Sequence, residues 1–465
     1  MKKILLTLLL AAPFLSGGAA IRLPEVFGTG MVLQQQSSVP IWGWTEPGNK
    51  VTLSTSWNKK SYTATASADG GWRVQVTTPK AGGPYTIRIT GSDILELQDV
   101  LVGEVWFCSG QSNMEMAMAG FPRQAIAGSQ AFIESSANPQ IRLFRVARAA
   151  QVTPQDTFSG KWQAATPASV KPFSAVGYLF ARLLQEKLKV PVGIIASAYG
   201  GTPIEAWMPA HNLKDFATVK LPSTTNPPAK LKNQPTVLYN AMIHPAVGYG
   251  IRGFLWYQGE ANARNPHMYA DLMASMVKGW RAQWNNNSLP FYFVQIAPFN
   301  RKDSTNASTR VREAQLKALD LIPHSGMAVT LDAGEENNIH PSDKSTVAQR
   351  LYQLALANTY GFKDVAWSGP VFRSLQVKGD TAHLRFEHTG SGLTDKGKGL
   401  TQFEIAGADK VFYPAQAIIT PYGVAVWGPE VKSPVAVRYA FKDWVTGDLY
   451  NKDGLPASSF RTDNW

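Results

Sequence analysis

A single cysteine, Cys108, stands among 465 residues, so no disulfide can form within the chain. A chain of this length can hold itself together by core burial alone. Its apolar fraction of 44% and aromatic fraction of 11% supply real cores. The seven histidines form no Cys/His cluster, and neither a metal nor a cofactor is expected. Charge is sparse at 17% of residues. The net charge of +12 is scattered, with no block of lysines or arginines, which argues against a nucleic-acid partner. Attraction to acidic glycans fits that charge, and so does plain solubility. Beyond the N-terminus no stretch is long and apolar enough to span a bilayer.

What is present begins with residues 1–20, which read as a signal peptide. Lys2 and Lys3 give a positive start, Ile4 to Leu15 an apolar run too short for a membrane span, and Gly18-Ala19-Ala20 a small-residue cleavage site. Export to the periplasm or the medium is expected. Cys108 lies in an apolar run and reads as a buried small hydrophobe rather than a catalytic thiol.

Residues 21–98 read as an N-terminal β domain. Ser38 to Trp44, Lys50 to Ser56, Ser61 to Ser67, Trp72 to Thr77 and Tyr85 to Thr90 have strand character. Turn clusters such as Glu46-Pro47-Gly48-Asn49 punctuate them at sandwich spacing. From 99 to 358 strands alternate with amphipathic helices. Val102 to Cys108, Val192 to Ala196, Ile251 to Tyr257, Phe291 to Ala297 and Met327 to Leu331 are the strands. Helical stripes run over 176–188 and 269–284. Such alternation predicts an α/β domain with a parallel sheet covered on both faces, and ligands at the carboxyl ends of its strands. Residues 359–465 return to β character, and one expectation is that the two flanking β segments pack together.

The segments after the strands carry the candidate chemistry. Ser109-Gly110-Gln111-Ser112-Asn113 puts a serine on a glycine turn entering a helix, where backbone N–H groups can hold an oxyanion. Glycine and serine populate turns anyway, and Met114 replaces the second glycine of an α/β-hydrolase elbow. A serine nucleophile needs a base. His340, in Asn337-Asn338-Ile339-His340-Pro341, follows the last strand on a loop that can reach the first strand's edge. His244, between apolar residues, reads instead as a core histidine. Gly200-Gly201 allow close backbone approach to a carbonyl. Gln258 offers an amide donor, and Glu260 a carboxylate that could orient a neighbour.

In order, G-Q-S-N-M at 110–114, G-G-T-P-I-E-A-W at 200–207, W-Y-Q-G-E at 256–260, R-E-A-Q at 312–315, I-H-P at 339–341 and L-Y-N-K-D-G-L-P-A-S at 449–458 resemble the sialate O-acetylesterase family of SGNH hydrolases. The resemblance spans nearly the whole chain after residue 20. It implies a three-layer α/β/α SGNH domain flanked by β-sandwich-like segments. It also implies a carbohydrate O-acetylesterase with Ser112 as nucleophile and His340 as base. The Ser112 N–H, Gly200-Gly201 and Gln258 would form the oxyanion hole. One departure stands out: where the family has an acid two or three residues before the histidine, this chain has Asn337 and Asn338. An asparagine can orient an imidazole but does not stabilise its cation as a carboxylate does. A Ser–His dyad, a carboxylate from Asp332, Glu335 or Glu336, and Glu260 from a neighbouring loop all stay open. Trp207 and Trp256 are candidates for pocket walls that stack on sugar.

Sialate 9-O-acetyl esters are the first expected substrate, with acetylxylan or another plant polysaccharide as the alternative. A non-catalytic glycan-binding protein that has lost its acid is the reading from a different class. No apolar lid or long peptide groove argues for a lipase or peptidase.

Overall fold

The computed structural model describes residues 20–302 and 305–465. The signal-peptide expectation falls on residues that lie, apart from Ala20, outside the described ones. At the centre is a sheet of β1 (Ile94–Gly110), β2 (Asn138–Arg145), β3 (Trp162–Ala165), β4 (Val192–Ala198), β5 (Gly253–Tyr257), β6 (Phe291–Val294) and β7 (Ser325–Ala328). Its order is β7-β6-β5-β1-β4-β2-β3. All neighbours are parallel except β2 and β3.

Alternating side chains of β1 feed two cores. Val105 and Phe107 point into one, beside helices α3 (Tyr269–Gln283) and α4 (Ala307–Leu321). Trp106 and Cys108 point into the other, beside α2 (Ala175–Leu188) and α5 (Lys344–Asn358). This is the expected α/β/α sandwich, its layers fixed by the two-residue period of a strand buried on both faces. Cys108 is fully buried, and burial pushes its thiol pKa well up, as suits an inert core residue.

The expected boundary at 98/99 falls inside β1, which is 17 residues long. Its first half pairs with Gly82–Thr90 and Val32–Gln34, its second with β4 and β5. One continuous strand thus ties the N-terminal β segment to the central sheet, and their apolar residues merge into a single core. The C-terminal β segment has its own core, built around Leu384, Ile405, Val426, Val437 and Tyr439. The flanking β segments therefore do not share one core, contrary to the expectation that they pack together. Arg312 of α4, fully buried, docks the C-terminal segment by donating to Ser459 Oγ at 3.3 Å and to the Lys442 carbonyl. Gln295 Nε2 adds a bond to Ser458 Oγ at 2.7 Å.

Candidate active site

Register brings the chemistry to one edge. Gly110, the last residue of β1, lies opposite Ala198 at the end of β4 and Tyr257 at the end of β5. The chain therefore leaves three adjacent strands at the same level, at Gln111-Ser112, Tyr199-Gly200 and Gln258-Gly259. Between β5 and β4 the chain order switches direction about β1, which is where α/β sheets open a crevice. Gly110 has φ +141°, and a Cβ there would lie 2.1 Å from the Tyr257 carbonyl oxygen. Only glycine lets the strand turn so close to its neighbour.

Ser112 opens the short helix α1 (Ser112–Glu115). Its Oγ is 2.8 Å from His340 Nε2. On the other side of the ring, His340 Nδ1 is 2.8 Å from Gln124 Oε1. An amide oxygen accepts, so Nδ1 carries the proton and Nε2 is free to accept from the serine. The edge of the Phe121 ring packs on the imidazole with centroids 5.2 Å apart. Burial first, and then the charge of Lys344, push the His340 pKa down to about 4. A neutral imidazole poised over a hydroxyl can act as general base, and glutamine fixes its tautomer without supplying a counter-charge.

None of the six residues considered for the orienting role hydrogen-bonds to the imidazole. Asp332 is held by Arg350 at 2.7 and 2.8 Å. Glu260 is buried and accepts from Asn113 Nδ2 at 2.5 Å. Asn338 Oδ1 accepts from the His340 backbone N–H at 3.0 Å, so it shapes the loop rather than the ring. Asn337 is exposed. Glu335 caps the same loop through Ser342, and Glu336 bonds Asn300. The missed residue is Gln124, delivered by a turn in which Phe121 N–H donates to the Gln124 carbonyl. Gly120, at φ +82°, makes that turn. Nothing in the spacing of the sequence ties position 124 to position 340.

The expected oxyanion donors divide. A Cβ on Gly200 would lie 3.2 Å from Ser112 Cβ, so this turn does press against the serine. The Gly200 N–H, however, donates to Glu115 Oε2 at 2.9 Å. Gln258 corrects the expectation more fully. Its amide donates to the Thr202 carbonyl at 3.1 Å and Asn262 Oδ1 at 2.7 Å, while Oε1 accepts from Tyr269 at 2.8 Å. Fully buried and engaged on both ends, it braces the glycine turn from behind. The N–H groups of Ser112 and Gly201 have no hydrogen-bond partner among the described residues.

Trp207 and Trp256 are also corrected. Both are fully buried and pack edge-to-face on one another, with centroids 6.1 Å apart, in the core under α3. The aromatic next to the glycine turn is instead Tyr199. Arg148 and Lys232 lie 5.2 and 4.9 Å from its ring centroid, and Lys232 Nζ donates to the Gly200 carbonyl at 2.8 Å.

The R-E-A-Q and tail motifs have structural work. Arg312 docks the tail, and Gln315 bonds the Gln258 carbonyl at 3.1 Å and the Ile296 N–H at 2.9 Å.

Known proteins share the sequence and the fold over most of the chain. The family model described as carbohydrate esterase, sialic acid-specific acetylesterase, matches residues 102–357. A sialate O-acetylesterase of Homo sapiens is 31% identical over 398 residues, covering 78% of this chain and 75% of that protein. One of Mus musculus is 29% identical over 94% of this chain and 92% of that protein. A solved carbohydrate acetylesterase from Xanthomonas citri is 38% identical with a TM-score of 0.88, covering 96% of this chain and all of that one. The fold is that of the SGNH-like carbohydrate esterases, and the activity is that of a carbohydrate O-acetylesterase acting on a sugar substrate. This chain belongs to the sialic acid-specific acetylesterase family of carbohydrate esterases.

Proposed function

We propose that the protein removes O-acetyl groups from sialic acid, at the 9-hydroxyl first of all, through an acetyl-enzyme on Ser112. The observation that carries the chemistry is the unbroken chain from Ser112 Oγ through His340 to Gln124, with 2.8 Å on each side of the ring. His340 Nε2 takes the serine proton as Oγ bonds to the acetyl carbon. The oxyanion is held by the N–H of Ser112 and the adjoining glycine turn. As the carbon–oxygen bond to the sugar breaks, His340 returns its proton to the departing sugar hydroxyl. Water, deprotonated by the same imidazole, then attacks the acetyl-enzyme. Acetate leaves and Ser112 recovers its proton.

An acidic sugar is supported by the relatives' name and by the rim. Lys232 has no carboxylate partner among the described residues, and Arg148 reaches past its ion pair with Glu115 toward Tyr199. The net charge of +12 is compatible with the same choice. The reading includes export under the N-terminal leader, to the periplasm or the medium.

Acetate release from 9-O-acetylated sialic acid, acetylated xylan and an aryl acetate tests the substrate. The proposal expects the highest kcat/KM on the sialate ester, lost in Ser112→Ala. Preference for acetylxylan would move the reading to a plant-polysaccharide esterase. No release from any of them would favour a glycan-binding role.

A further inference from the structure

Asn113, the residue after Ser112, is the meeting point of four segments. Its Nδ2 donates to Glu260 Oε1 at 2.5 Å and to the Ile339 carbonyl at 3.0 Å. Its Oδ1 accepts from Lys344 Nζ at 2.6 Å. Lys344 can only donate and an ionised Glu260 can only accept, so the amide has one orientation. Asn113 and Lys344 are each 1% exposed. Glu260 Oε2 is fully enclosed and has no hydrogen-bond partner among the described residues. A carboxylate and an ammonium are thus buried at the two ends of one amide, beside both the nucleophile and the histidine loop. An ion pair in such a place costs desolvation, and a pair of apolar side chains would serve stability as well. Its location instead matches a task at the reacting groups.

We propose that Glu260, Asn113 and Lys344 form a positioning device that locks the Ser112 turn to the His340 loop and sets the basicity of the imidazole with a buried cation. The proposal rests on Ser112 and His340 being nucleophile and base. The backbone half is direct: Asn113 holds the Ile339 carbonyl, so any tilt of the serine turn is transmitted to the residue before the base. The electrostatic half follows from charge. The groups facing Lys344 are Glu260 from the end of β5, Glu335 and His340 from the loop after β7, its neighbour Asp343, and the Tyr257 ring at 5.7 Å. Those facing His340 are Ser112, Gln124, the Phe121 edge and Lys344. The cation disfavours imidazolium, and Glu260 partly offsets it. Burial of Lys344 pulls its own pKa down to about 8, which limits the field it exerts at higher pH.

The test is the acid limb of kcat/KM, which reports the free enzyme's histidine. Lys344→Met removes the cation at similar length, and the limb should move to higher pH. Glu260→Gln leaves the cation uncompensated, so the limb should move no higher than wild type while kcat falls and KM changes little. A merely structural role would lower activity in both variants without separating the two limbs. The proposal is overturned if the limb of folded Lys344→Met stays at the wild-type pH, or if both variants move it upward together. Should Lys344→Met not fold, Glu260→Gln still decides: an upward shift overturns the proposal. Loss of all activity on Ser112→Ala checks the underlying reading separately, because both other variants keep a labelling-competent serine.

Discussion

Replacing Gln124 by glutamate puts a charge where the site has only a dipole. The amide oxygen now lies 2.8 Å from His340 Nδ1, and the imidazole pKa stands at about 4 because burial and the Lys344 cation both oppose protonation. A carboxylate within about 4–6 Å of a titrating group moves its pKa by about 1–3 units toward the charged form. Gln124→Glu keeps the length of the side chain and should raise the acid limb of kcat/KM by that amount. Each unit is about 1.4 kcal/mol of imidazolium stabilisation. Imidazolium also forms in the acylation step, so kcat near neutral pH should rise, by at most about tenfold per unit if the whole gain is expressed there. Gln124→Ala, by contrast, removes one hydrogen bond worth about 0.5–1.5 kcal/mol and should lower kcat about two- to tenfold. The assay is acetate release from an aryl acetate across pH 3.5–9 (on the order of the window needed to bracket an imidazole shifted by about 1–3 units), with circular dichroism to confirm folding. A folded Gln124→Glu variant whose limb remains at the wild-type pH would show that Gln124 is not the partner of the base.

Three further outcomes follow from the packing. Gly200→Ala places a methyl 3.2 Å from Ser112 Cβ and 3.1 Å from Glu115 Oε2, so kcat should fall by about ten- to a hundredfold, the equivalent of about 1.4–2.7 kcal/mol, with an unchanged thermal midpoint. Arg312→Ala removes the buried side chain that docks the C-terminal segment, leaves its acceptors unpaired and should cost about 2–5 kcal/mol in urea unfolding. Cys108 should resist a thiol reagent in the native protein and react on denaturation, because it is fully enclosed in the α2/α5 core.

Much of the site was legible because local rules and long-range register agree there. The strand before Ser112, the glycine turn after it and the histidine after the last strand are each readable in place, and parallel register makes their ends meet. The third member was not legible. Gln124 comes from a turn beyond α1, and its approach to a ring 216 residues away is a product of tertiary packing. The two oxyanion-side tryptophans misled for a related reason. Trp256 belongs to a strand buried on both faces, where alternation cannot tell core from pocket, and Trp207 folds under its own turn to donate to Thr202 Oγ1 at 3.0 Å. Strands β2 and β3 and helix α4 went unread, although β2 lies beside β4 in the central sheet. The 98/99 boundary falls within β1, which carries one unbroken strand from alternating, half-exposed pairing into a fully buried run. The change of pattern was real, but the backbone does not break there.

An acyl-enzyme on Ser112 driven by His340 can be trapped covalently. Incubation of the protein with a fluorophosphonate, followed by peptide mass spectrometry, should find a single adduct, on Ser112. Labelling should be lost in Ser112→Ala and greatly slowed in His340→Ala. An unmodified Ser112 in an enzyme that still releases acetate, or labelling that proceeds at the wild-type rate without His340, would rule out this nucleophile–base pair.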